Sequence, residues 1–305
     1  MRRLSLFNGG KRGVFVFFLA GLFVFFYSPE LFALKIVQLD QAKIRLFIHS
    51  GASKSGRIEV KNNDAEPKQV KIYLEDWYYE NSEGSKNFAS AGTTGRSCAP
   101  WISFAPVEFT VPPFGKEYVN YIVRVPQDVK GGYYAVLFFE SSLGQGQDAI
   151  PQESAENSSV SVPVSVRVGS LFYVEVKDTV KRQIQIKRFS VQRQSQSDPL
   201  SISMDVENIG NVDVTAGGTY NIINDKGEVY ARGQFKDVYT LPQDKANLTA
   251  KWKDVIPQGR YDLIITLDLG KALEEMGVGR GPIMAREAQI EIDENGEVVK
   301  VGELK

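Results

Sequence analysis

The 305-residue sequence predicts an all-β protein. From residue 42 onward, Val, Ile, Tyr and Phe recur at every second position in short runs punctuated by Gly, Pro and Asn, the pattern of half-buried strands. Helix signals are nearly absent. Only "LGKALEEMG", 269 to 277, reads as a helical turn or two, with Gly277 as its stop. The two halves also answer to each other, which points to one unit used twice. The fold class is therefore two tandem immunoglobulin-like β-sandwich domains, 34–169 and 170–305, behind an N-terminal signal segment, 1–33.

The signal segment comes first. A basic start (Arg2, Arg3, Lys11, Arg12) runs into the apolar "VFVFFLAGLFVFFY", 14 to 27, which is short for a membrane span and right for an export signal. Cleavage after Ala33 would release the rest; an uncleaved signal anchor is the alternative. Contact with a membrane is expected only through this segment, if it stays attached.

The first domain is read as strands at 42–49, 55–62, 68–79, 106–111, 116–125, 132–140 and 160–168, seven being the count of an immunoglobulin-like sandwich. In "VKIYLEDWYY", Trp77 either plugs the space between the sheets or is an ordinary half-exposed strand aromatic. "GGYYAVLFFESS" is apolar on both faces, as in a strand covered on each side or next to an interface. The second series runs through 171–177, 182–192, 200–208, 215–223, 228–235, 247–254, 260–269 and 285–293. "IEVKNND" (58 to 64) answers to "MDVENIG" (204 to 210), and a Pro, Gly and Tyr cluster precedes a late strand in each half. The tyrosines of those clusters, Tyr133 or Tyr134 and Tyr261, sit where a tyrosine corner would tie turn to strand; a plain turn tyrosine is the alternative.

Between 140 and 160 lies "SSLGQGQDAIPQESAENSS", too polar to bury itself and read as a loop. It feeds "NSSVSVPVSVRVG", in which Val160, Val162, Val164, Val166 and Val168 fall on one face against Ser161, Pro163, Ser165 and Arg167. The stripe either fills the first sandwich as its last strand or meets a partner. Pro163 lacks an N–H and places the strand at or near a sheet edge. Arg167 is the only charge between Val160 and Val168, so the edge lacks the usual guards against pairing with another chain.

Composition narrows the function. Without residues 1–33, 32 basic side chains stand against 36 acidic ones, which leaves no basic excess for nucleic acid. One His (His49) and one Cys (Cys98) exclude an internal disulfide, a His and Cys zinc site, and any Ser-His-Asp triad not built on His49. No cofactor and no reaction are expected. "VKRQIQIKRFSVQR", 180 to 193, is a solvated basic strand face or a contact for anionic lipid or cell-wall polymer.

The segment "RIEVKNNDAEPKQVKIYLEDW", 57 to 77, resembles the first domain of the periplasmic chaperones for pilus assembly: a strand ending in Asn62, a nearby Pro67, then an alternating strand closing on Trp77. "FTVPPFGKEYVNYIVRVP", 109 to 126, is similar to the proline-led strand that follows in that family. The resemblance implies donor-strand complementation, in which the alternating strand completes an unfinished exported subunit. It also implies that a basic pair grips the subunit's terminal carboxylate, with Arg45 and Arg167 as nearest counterparts; charge-assisted bonds suit that task. Solvated arginines on a strand face are the alternative for both. The expected role is an exported, periplasmic or extracellular protein-binding module, a chaperone or assembly factor for surface or pilus-like subunits. A structural or adhesive cell-surface protein is the alternative, because the second domain is also similar to modules of WxL-interacting proteins.

Overall fold

The computed structural model describes residues 36–142, 165–274, 277–279 and 281–305. The signal segment and Val160, Val162 and Val164 lie outside the described residues. What remains is almost wholly strand, in two immunoglobulin-like sandwiches.

The first sandwich holds β1 (Gln38–Leu39), β2 (Lys43–Ile48), β3 (Ser53–Lys61), β4 (Lys68–Tyr79), β5 (Lys86–Ser90), β6 (Ile102–Ala105), β7 (Glu108–Val111), β8 (Lys116–Arg124), β9 (Gly131–Ser142) and β10 (Ser165–Val176). One sheet runs β1-β3-β8-β6; the other runs β2-β10-β9-β4-β5, with β7 also on β4. Alternate residues of the two sheets, among them Ile58, Val60, Val119, Leu137, Phe139 and Phe172, meet in a dry core. The second sandwich pairs β11 (Ile184–Gln192), β12 (Leu200–Asn208) and β15 (Lys245–Trp252) in one sheet. The other sheet has the order β14 (Val229–Thr240), β13 (Val214–Asn224), β16 (Gly259–Asp268), β17 (Ile283–Ile292), β18 (Val298–Val301). The helical turn is α1 (Lys271–Glu274).

The internal likeness is physical. Asn62 and Asn208 are both wholly buried. Asn62 donates to the carbonyls of Glu66, Val111 and Pro112 and accepts from the Asp64 N–H. Asn208 donates to Val212 and Thr240 and accepts from Gly210 N–H. In each sandwich one asparagine bridges its own turn, two and four residues on, to the opposite sheet, satisfying backbone groups that would otherwise be buried unpaired.

Several expectations change. Residues 165–168 and 171–176, read as parts of two strands, lie in one strand of the first sandwich, because Gly169–Ser170 interrupts the valine alternation without turning the chain. Gly169 is needed for contact: a Cβ there would lie 2.7 Å from Val136 Cγ2 and 3.1 Å from Phe138 Cε1. Tyr261 does form a corner, donating to the Pro257 carbonyl at 2.8 Å. Its counterpart Tyr134 reaches the other sandwich instead. Cys98 is fully buried, and burial raises its thiol pKa, so it is shielded from pairing with another chain. On the basic face of β11, Lys187 meets Glu207 at 3.2 Å and Arg188 meets Asp205 at 3.5 Å, so acids on β12 offset the cations expected to attract anionic polymer.

Candidate functional site: a half-paired strand beside the junction of the sandwiches

β10 is paired unequally. On one flank β9 follows it antiparallel from Ser165↔Ser142 to Val176↔Gly131. On the other, β2 runs parallel but only from Leu171↔Lys43 to Val176↔Ile48. Leu171 N–H donates to the Ala42 carbonyl and Ser170 Oγ to the Gln41 carbonyl, and there the cover ends. Among the described residues no strand pairs with that flank of Ser165–Ser170. Since backbone groups alternate sides along a strand, Arg167 and Gly169 turn their N–H and C=O to the open flank, as Leu171 does toward β2.

The two faces of this half-strand differ. Val168 is half-buried and packs against the inter-sheet core, and Val166, also half-buried, shares its face. Both valines that can be placed therefore point inward along the rim of the sandwich. Arg167 and Gly169 lie on the outer face.

That outer face carries a second apolar cluster, Trp77, Tyr134, Val136, Phe138 and Tyr173, with Leu241 of the second sandwich packed on it. Trp77, 1% exposed, belongs here rather than between the sheets, and meets Tyr79, Tyr134 and Tyr173 edge-on with ring centroids 5.0 to 5.4 Å apart. Aromatic residues at 73, 77, 134, 138 and 173 fall on the outer face of the β10-β9-β4 ladder because a strand changes face every residue.

Beside this cluster the sandwiches are joined. Arg45 on β2, with its side chain only 2% exposed, binds Glu175 of β10 and, at 3.0 and 2.6 Å, both carboxylate oxygens of Asp213. Arg182 adds a second cation to Glu175. Burial pulls the Arg45 pKa down, and Asp213 and Glu175 more than reverse it, so the guanidinium stays charged. Tyr134 Oη accepts the Asp213 N–H at 2.6 Å. Gly132 N–H reaches the Asn211 carbonyl at 2.8 Å, and Gly131, at φ +84°, leaves no room for a side chain: a Cβ would stand 2.4 Å from that same oxygen.

The arginines expected to grip a carboxylate are thus both engaged. Arg45 is spent on the junction between sandwiches, where partner acids have already neutralised it. Arg167 leans away from the open flank across β9, reaching Glu75 at 2.8 Å and Tyr73 Oη at 3.3 Å while lying 4.0 Å over the Phe138 ring. Sequence reasoning missed Lys43, two residues before Arg45 on the same face and exposed, and Lys86, whose ammonium lies 5.8 and 5.4 Å over Trp77 and Tyr79. Neither has a carboxylate partner among the described residues. Burial, then repulsion from Lys43, lowers the Lys86 pKa. The period-two spacing of Lys43 and Arg45 was a signal for a shared face, but it could not say which of the two would stay free.

The chain is similar to solved fimbrial chaperones. It matches the class 5 fimbriae chaperone CfaA at 12% identity, covering 82% of this chain and 98% of that one, with a TM-score of 0.44. It matches a chain of a chaperone–tip adhesin complex of CFA/I fimbriae at 12% identity, 82% and 97% coverage and a TM-score of 0.42. It matches the E. coli chaperone DraB at 14% identity, 82% and 96% coverage and a TM-score of 0.37. No family model and no curated protein matches the sequence. Among the described residues no group of His, Cys, Asp and Glu is placed to hold a metal ion.

Proposed function

We propose that this protein is a cell-envelope chaperone or assembly factor that holds an exported polypeptide by β-strand addition, using no cofactor and carrying out no reaction. One observation carries the reading: the Ser165–Ser170 half of β10 pairs with β9 on one flank and with no described strand on the other, while its C-terminal half is paired on both. A strand laid along the open flank would take up the N–H and C=O of Arg167 and Gly169, and its inward side chains would close the rim beside Val166 and Val168. Val160, Val162 and Val164 continue the same alternation in the sequence. In this reading the basic grip passes from Arg45 and Arg167 to Lys43 and Lys86, whose mutual repulsion an anion would relieve.

The test is hydrogen exchange with a ten-residue acetylated peptide that alternates valine with serine. Saturating peptide should slow exchange of the Arg167 and Gly169 amides and leave those of β17 unchanged. Val166→Glu should weaken peptide binding at least tenfold while thermal melting stays cooperative. Unchanged exchange at both amides under saturating peptide would sink the proposal.

A further inference from the structure

On the outer face of the half-paired strand Gly169 gives an apolar seat floored by Phe138 and Val136, and we propose that it selects an aromatic residue in the captured segment. This inference rests on the strand-addition reading and says which outward-facing side chain that reading favours. Three features make the seat. Gly169 has no side chain, so Phe138 and Val136 extend across it, to within 3.1 and 2.7 Å of where a Cβ would stand. Leu171, half-buried, bounds it on one side. Arg167 bounds it on the other, and because its guanidinium is drawn across β9 to Glu75 and Tyr73, the arginine does not fill the space beside the edge. Its side chain keeps 39% exposure, with Phe138 beneath it at 4.0 Å and Phe88 at 5.4 Å.

A residue directly opposite Gly169 in an added strand has its Cβ about 5 Å away on the same face, and its side chain meets no opposing Cβ. A glycine in that position is covered best by a large flat ring from the facing strand. Here the ring would touch the edge of Phe138, the side of Leu171 and the exposed side of a guanidinium already stacked on an aromatic, a setting that favours another aromatic over an aliphatic or polar group. The cation is held in place by Glu75, so it is pre-set for the contact. Residues before and after this one point inward at the rim, which gives the captured segment a rule: apolar, aromatic, apolar, the aromatic facing out opposite Gly169.

The experiment extends the valine–serine peptide. Serines are replaced one at a time by phenylalanine, and binding to the full chain is measured by fluorescence anisotropy. One phenylalanine position should bind about tenfold tighter than the parent, and the others should change little. Arg167→Gln should shrink that preference to threefold or less; Gly169→Ala should abolish it, and because that variant forces Val136 to move, its folding is checked by thermal melting and Arg167→Gln decides if it fails. Peptides that all bind equally would overturn the aromatic rule and leave strand addition standing. If no peptide binds at all, strand addition itself fails and the rule with it.

Discussion

Arg45 and Asp213, 168 residues apart in the chain, meet through two parallel hydrogen bonds of 3.0 and 2.6 Å at the junction of the two sandwiches. The pair is nearly closed to solvent, 2% and 4% exposed, and Glu175 and Tyr134 complete its surroundings. A fork-on-fork contact of this kind fixes orientation as well as proximity, so it sets how the aromatic outer face of the first sandwich meets the second.

Removing one partner should therefore be costly. Asp213→Ala leaves Arg45 with a single carboxylate, which Arg182 also shares, in a site nearly closed to solvent, and breaking a buried pair from one side costs about 3–5 kcal/mol. Urea unfolding should show a loss of that size, and Arg45→Met about the same. The double variant should lose markedly less than the two losses added together, because the same pair is broken once.

The two buried asparagines should behave as one device used twice. Asn62→Ala strands three backbone carbonyls and one N–H, Asn208→Ala two carbonyls and one N–H, and each should destabilise its own sandwich by about 2–4 kcal/mol. Amide exchange should accelerate chiefly around 62–66 and 111–112 in the first variant and around 208–212 and 240 in the second. Equal acceleration of both sandwiches in either variant would contradict the assignment.

Lys86 gives the pH dependence. Its folded-state pKa lies below the ordinary lysine value, first through burial over Trp77 and Tyr79 and then through Lys43. The charged form is needed to hold a carboxylate and is lost as pH rises through the folded pKa. A peptide ending in a free carboxylate should therefore lose its advantage over the same peptide amidated at a pH lower than an unperturbed lysine would set. Lys86→Arg should move that loss to higher pH. Titration of both peptides by anisotropy checks this.

Much of this was legible beforehand, because a strand announces itself locally. The alternation over 68–79 and 200–208 predicts β4 and β12 to the residue, and the Asn62 and Asn208 motifs predict a repeated unit. Short strands such as β5, whose "KNFAS" has no clean alternation, leave no such trace. Gly169–Ser170 reads as a break because glycine punctuates strands more often than it admits a neighbour's side chain. For Trp77 the sequence offers a plug between the sheets or a half-exposed strand aromatic, and it is neither but buried on the outer face: alternation separates two faces without saying what covers each.

The sequence by itself determined the all-β class, the doubled plan and the shared face of Val166 and Val168, since these depend on residue type and a spacing of two. Tertiary structure alone decided which flank of β10 has no described strand paired to it along Ser165–Ser170, that Arg45 is consumed by Asp213, and that Arg167 lies over Phe138. Those outcomes depend on contacts between residues tens to hundreds of positions apart. Local pattern carries no record of them, because the energy that selects them arises only when the sheets and the two sandwiches are brought together.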